Sequence, residues 1–194
     1  MKDRFQPHNA PRGSRGVTPL HQDESKPAAG RTDALLHYWQ SLCGRGTLPR
    51  RADVEPRAIG ALLPDTFLLE RIAPGLARFR VAGTHLSELM GMDVRGMPVS
   101  CLIAPSDRDD LAESLAALFD RPACLRLDLR SAAGVSRPAL TGRMLLLPLL
   151  GRTGAVDHAL GCLVTSGPPG RPPRRFCVTD QRTQTAAPRP SRAA

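Results

Sequence analysis

Histidine and cysteine are the residues of this chain with the most versatile chemistry, and their spacing decides whether they can act together. The five cysteines are scattered and form no Cys-x-x-Cys pair, and none neighbours a histidine at metal-ligand spacing. An odd number of isolated thiols fits reduced, separately placed cysteines better than a disulfide framework. We therefore expect no catalytic set, no metal site and no enzyme activity. The cysteines are Cys43, Cys101, Cys124, Cys162 and Cys177.

Three glycines in residues 79–98, FRVAGTHLSELMGMDVRGMP, raise the question of a phosphate-binding loop. Such a loop needs closely spaced glycines at the N-terminus of a helix, often followed by a lysine. Here Gly83, Gly91 and Gly96 are eight and five residues apart, and no lysine follows. The segment is better explained as a strand that passes into a short helix.

The elements that would position these residues follow from hydrophobic periodicity. Residues 33–43 place Leu35, Trp39 and Leu42 at i, i+4 and i+7, which predicts a helix with one apolar face. Residues 66–72 and 76–83 are strand-like and are separated by a Pro-Gly turn, so they predict a hairpin.

A longer helix is predicted over residues 105–120, with Ser106 as its N-cap. Three strand-like segments follow, at residues 124–131, 139–150 and 157–166. Pro148 predicts that the second of these is an edge strand or carries a bulge. Strands at both ends of the domain with helices between them indicate an α+β fold with an antiparallel sheet.

This order resembles that of a PAS domain, and it is similar to a family of small bacterial proteins that have a single PAS domain and no attached output domain. The usual aromatic after the second glycine is missing, since Met97 and Pro98 follow Gly96. The resemblance implies a five-stranded antiparallel sheet with short helices on one face and an additional N-terminal helix. It spans residues 33–167 and is carried by YWQSL (38–42), LPRRADVEP (48–56), LLPDTFLLE (62–70), FRVAGTHLSELMGMDVRG (79–96), DRDDL (107–111), LLLPL (145–149) and DHALGCL (157–163).

The same resemblance assigns roles within residues 79–98. It implies that Thr84 caps a helix over residues 85–90 and that Gly91 ends it in a left-handed conformation. His85, which would open this helix, is the residue that a haem-bound PAS domain would use, although an exposed structural histidine is the simpler explanation.

A PAS fold also implies an apolar cavity between the sheet and its short helices, which either holds an unidentified small molecule or is a filled core. We expect no cofactor. The candidate lining residues are Phe79, Val81, Leu86, Leu89, Met90, Cys101, Leu102, Leu115, Leu127, Leu147 and Leu163.

The N-terminal helix lies outside the minimal PAS fold and presents Leu35, Leu36, Trp39 and Leu42 on one face. Two roles stay open for this face. It covers the sheet within one chain, or it pairs with a second copy and places Trp39 in a dimer interface.

Nearly all of the net charge of +9 resides in the two ends of the chain. Residues 1–31 carry six basic and three acidic residues, and residues 168–194 carry six arginines and one aspartate. Both segments are poor in apolar residues, so we expect a disordered basic tail at 1–31, a PAS-like domain at 32–167 and a disordered Arg/Pro-rich tail at 168–194. No secretory signal or membrane-spanning run is evident, so we expect a cytoplasmic protein.

Three hypotheses follow for function. The first is a stand-alone PAS-type regulatory module that acts through protein–protein contacts with an unidentified signalling protein, as a homodimer. The second is a small-molecule sensor with its ligand in the apolar cavity. The third is non-specific binding of nucleic acid or an anionic surface by the arginine-rich tails.

Overall fold

The computed structural model describes residues 28–44 and 46–186, and this part of the chain contains four helices and six strands. Short 3₁₀ turns at Arg51–Asp53, Gly60–Asp65, Val99–Leu102 and Pro105–Asp107 connect them. In chain order the elements are α1 (Ala28–Leu42), α2 (Pro56–Ile59), β1 (Thr66–Ala73), β2 (Leu76–Ala82), α3 (Thr84–Met90), α4 (Arg108–Asp120), β3 (Ala123–Ser131), β4 (Leu140–Leu150), β5 (Val156–Ser166) and β6 (Cys177–Thr185).

The strands form one antiparallel sheet in the order β2-β1-β5-β4-β3-β6. The predicted hairpin of β1 and β2 is confirmed, and its turn needs Gly75, whose φ of 69° suits glycine. The alternating pattern of β3 is confirmed as well, because Leu125, Leu127 and Leu129 are buried on one face of the sheet.

Each face of the sheet carries its own hydrophobic cluster. On the inner face, α3, α4 and the 3₁₀ turn at Val99–Leu102 pack over β1 to β5. On the outer face, α1 lies across β4 and β5 and buries Leu35 and Trp39. The sheet is therefore sandwiched, as expected for an α+β fold with an additional N-terminal helix.

The expected number of strands was wrong, because a sixth strand extends the sheet beyond β3. The prediction of a disordered tail over residues 168–194 is therefore wrong for the residues up to Ala186, which the structure describes. Residues 187–194 lie outside the described part. Phe176 is fully buried in the inner cluster, and its backbone exchanges hydrogen bonds of 2.8 Å with Leu102 and Ala104. Threonine and valine favour extended backbone, so a composition average hid a segment that can form a strand.

The first helix of the domain also begins earlier in the chain than predicted. Helix α1 begins at Ala28, inside the segment assigned to the N-terminal tail, and the remainder of that tail, residues 1–27, lies outside the described residues.

Three local predictions need correction. Ser106 does not cap α4; its hydroxyl donates to Asp107, whose other carboxylate oxygen accepts the backbone N–H of Val178. Thr84 is the first residue of α3 and makes no cap, whereas the left-handed stop at Gly91 is confirmed with φ 70°. Pro148 lies in a central strand rather than an edge strand, beyond the residues of β4 that pair with β3; the predicted alternative of a bulge fits better, since the register of β4 against β5 shifts between Leu149 and Leu150.

Candidate functional site

Most of the residues predicted to line a cavity meet on the inner face of the sheet. Cys101 is half-buried and packs against the same cluster. Val81 and Leu147 do not join them, since Val81 is 51% exposed and Leu147 is buried under α1 on the outer face. The eight that lie in the inner cluster are Phe79, Leu86, Leu89, Met90, Leu102, Leu115, Leu127 and Leu163.

The wrong predictions for Val81 and Leu147 have identifiable causes. Leu68 pairs with Val81 but Leu69 pairs with Phe79, so a bulge at Arg80 changes which side chains of β2 face inward. In β4, Leu147 lies in an unbroken run of apolar residues. The alternation of apolar and polar side chains that would show which residues face inward is therefore missing.

The inner face is closely packed. The rings of Phe67 and Phe79 meet edge to face with their centroids 5.3 Å apart. A methyl group added at Gly161 would collide with the Phe67 ring and with Leu146. These contacts favour a filled core over a ligand cavity.

Helix α1 takes the first of the two roles left open for it, covering the sheet of its own chain. Leu35 and Trp39 are 0% and 4% exposed, while Leu36 and Leu42 are half-buried. The indole nitrogen of Trp39 donates a 3.0 Å hydrogen bond to the carbonyl oxygen of Pro148. Trp39 is therefore not exposed for contact with a second copy.

Two of the described histidines are held by ordinary polar contacts. His85 lies 3.0 Å from the hydroxyl of Thr165, and a ring nitrogen of His158 lies 2.6 Å from Asp157. Within residues 28–44 and 46–186, no three His, Cys, Asp or Glu side chains are grouped to hold a metal ion.

Burial keeps four of the thiols protonated. It raises the pKa of Cys162 to about 12 and that of Cys124 to about 11. Burial also raises the pKa of Cys43 and of Cys101. None of these four has the lowered pKa that an activated nucleophile requires.

A partly buried ion pair joins the residue that precedes β1 to helix α1. Asp65 is 5% exposed, and its carboxylate pairs with the guanidinium of Arg31. Burial raises the pKa of Asp65, although the positive charges of Arg31 and His85 oppose the shift. The pair fixes α1 against the sheet, which is a structural role.

An open groove lies on the outer face of β1 and β2, beside α2. It consists of two adjoining clefts of about 540 and 710 Å³ that share Arg51, Leu68 and Val81, and we call it the arginine groove. Its first cleft is apolar, with lining residues that include Val54, Pro56, Ile59, Leu63, Pro64 and Leu160. Its second cleft is basic, with lining residues that include Arg50, Arg80, Arg152 and His158.

The charges of the arginine groove are only partly balanced. Glu70 pairs with Arg78 and Arg80 at 2.9 and 2.8 Å. Partial burial alone would raise the pKa of Glu70, but hydrogen bonds from these two arginines outweigh it and lower that pKa. Sequence reasoning missed the groove, because its residues come from four separate segments.

Three further arginines line the same groove without a counter-charge. Arg50, Arg51 and Arg152 make no ion pair with any described residue. The second cleft therefore presents uncompensated positive charge beside the apolar first cleft.

Membrane insertion through a helix finds no support in the described residues, where every helix is too short or too polar to cross a bilayer.

Comparison with curated proteins gave no match. A family model described as a PAS domain matches residues 28–164, and no catalytic family was identified. A PAS domain is in general a signalling or sensory module. The match begins with α1 and includes β1 to β4 and most of β5, but not β6. Because it covers most of the chain, this protein belongs to the PAS domain family.

Proposed function

We propose that this PAS domain is a signalling module that binds another protein through the arginine groove and works as a homodimer. The observation that carries the proposal is the contrast between the two faces of the sheet. The inner face is packed with its own side chains, whereas the arginine groove combines open apolar surface with arginines that no described residue neutralises.

The groove suggests the chemistry of its partner. Leu63 and Val81 are 45% and 51% exposed and line the same apolar cleft, and a contiguous exposed apolar patch marks an interaction surface. Arg51 lies between the apolar and the basic cleft. A partner segment with apolar residues beside aspartate or glutamate would satisfy both parts, the apolar contact supplying affinity and the charges supplying orientation.

The hypothesis that the arginine-rich tails bind nucleic acid or an anionic surface loses support for the C-terminal residues that the structure describes, up to Ala186. Arg174 is 1% exposed and donates to the carbonyl oxygen of Pro138, and Arg182 pairs with Asp180 at 2.9 Å. Arg174 is therefore engaged within the fold rather than free to bind an anionic surface, whereas the exposed side chain of Arg182 forms an ion pair only with Asp180 among the described residues.

Photocrosslinking from the groove tests the proposal. A benzoylphenylalanine at position 81 of the full chain should crosslink a protein in lysate, and the crosslinked peptide should contain acidic residues. The crosslink should disappear when Arg51→Glu is added.

The control adds Arg121→Glu instead, a change at an exposed arginine outside the groove that also makes no described ion pair. The proposal fails if Arg51→Glu leaves the crosslink intact, or if the captured peptides are basic.

A further inference from the structure

Strand β6 leaves one edge of the sheet open. It pairs with β3 on one side, and no described residue pairs with the other edge from Thr179 to Thr185. Only the start of the strand is covered, where the N–H of Val178 is bound by Asp107 at 2.7 Å. An uncovered strand edge is a template for another strand.

The open segment is self-complementary in sequence. Residues 179–183 read Thr-Asp-Gln-Arg-Thr, with Gln181 at the centre. If a second copy pairs antiparallel about Gln181, each Asp180 lies opposite an Arg182, and the bulge at Thr179 lies at the end of the paired stretch. Opposite charges are favourable cross-strand neighbours.

Within its own sheet, by contrast, β6 faces like charges. Arg182 is directly opposite Arg126, and Asp180 is directly opposite Asp128. Such pairs are unfavourable unless other charges compensate them.

The compensation on β3 comes from elsewhere in the chain. Arg126 pairs with Asp33 at 3.0 Å, and Asp128 pairs with Arg143 at 2.7 Å. For Arg182 and Asp180 the structure shows only their mutual contact on one exposed strand. A second copy on the open edge would give each of them an opposite charge directly across the ladder.

We propose that two copies of this chain dimerise by antiparallel pairing of their β6 strands, centred on Gln181. The inference rests on the homodimer of the proposed function and names its interface. Because β6 and β2 are the two edges of the sheet, this pairing joins two sheets into one and leaves both arginine grooves open at its far ends. A dimer built in this way presents two binding sites to a partner.

A charge swap tests the pairing. In Asp180→Arg, the introduced guanidinium would face Arg182 of the second copy, and by symmetry this repulsion occurs twice in the dimer. Sedimentation should therefore show a dimer dissociation constant raised about tenfold or more. The double change Asp180→Arg with Arg182→Asp should restore dimerisation, because opposite charges again face each other. The single change removes the contact of Asp180 with Arg182, but an arginine at position 180 lies opposite Asp128 of its own β3, so the monomer should keep its fold.

A cysteine crosslink tests the register. In a Cys177→Ser background, Gln181→Cys places two thiols directly opposite each other, with Cα atoms about 5 Å apart, and mild oxidation should give a disulfide-linked dimer. Thr183→Cys is the matched control. Its two copies lie four residues apart along the ladder, about 13 Å, beyond the reach of a disulfide.

The outcomes separate the two proposals. A dimer that is insensitive to Asp180→Arg and is not crosslinked at position 181 would overturn the β6 interface while leaving the homodimer in place. A monomer at all accessible concentrations would overturn both. Loss of the crosslink from position 81 bears only on the arginine groove.

Discussion

The indole N–H of Trp39 donates a 3.0 Å hydrogen bond to the carbonyl oxygen of Pro148, 109 residues further along the chain. Proline has no N–H to offer a neighbouring strand, and Pro148 lies beyond the residues of β4 that pair with β3. Its carbonyl would therefore be buried without a strand partner, and α1 supplies one from the outer face. The end of pairing with β3 thus accommodates the missing N–H of Pro148, and the contact from Trp39 satisfies its carbonyl oxygen.

Substitution of Trp39 by phenylalanine should lower the free energy of unfolding by about 1–3 kcal/mol, because it leaves the buried carbonyl of Pro148 without its donor. Urea unfolding followed by circular dichroism measures the change. Gln40→Ala on the exposed side of the same helix should stay within about 0.5 kcal/mol. Equal stability of the phenylalanine variant and the parent would show that this hydrogen bond contributes little.

Phe176→Ala should destabilise the fold by about 3–5 kcal/mol, because its side chain is fully buried in the inner cluster. A disordered tail would give no change, so this variant tests whether the segment that leads into β6 is docked on the inner cluster. Arg175→Ala, at the exposed neighbouring position, is the control and should stay within about 0.5 kcal/mol.

The parts of the fold that could be predicted from sequence are those that local pattern determines. The spacing of Leu35 and Trp39 predicted the buried face of α1, and the alternation in β3 gave its inward side. The pattern did not place Leu147 correctly, because in an unbroken apolar run either face of the strand could be the inward one. It also failed at Val81, where a bulge shifted the alternation by one residue.

Strand β6 could not be predicted for a different reason. Its residues are polar, and it follows the segment that resembles a PAS domain. What orders it is non-local, namely pairing with β3, burial of Phe176 and the hydrogen bond that the N–H of Val178 donates to Asp107. The arginine groove escaped prediction in the same way, since only the fold brings Arg51, Val81 and Arg152 together.

Thiol labelling should separate the cysteines into two groups. Cys177 is exposed on β6, whereas burial raises the pKa of Cys124 to about 11 and that of Cys162 to about 12. With a disulfide reagent at neutral pH, Cys177 should react first, and Cys177→Ser should remove the fast phase. Fast labelling that persists in Cys177→Ser would place another thiol at the surface.

Asp65 should make stability fall with rising pH. Burial raises its pKa in the folded state above the ordinary 3.8, against the opposing charges of Arg31 and His85. A raised pKa means that the folded state holds this proton more tightly than the unfolded state. Its contribution is therefore complete below pH 3.8 and is lost as the pH rises through the folded pKa.

In Asp65→Asn this dependence should be absent, and the difference in unfolding free energy between variant and parent should increase in favour of the variant from about pH 3.5 to about pH 7. Urea unfolding at several pH values measures that difference. Asp109→Asn, an exposed aspartate in the first turn of α4, is the control for general charge effects. A difference that moves in the opposite direction would mean that the ion pair with Arg31 outweighs the cost of burying the carboxylate.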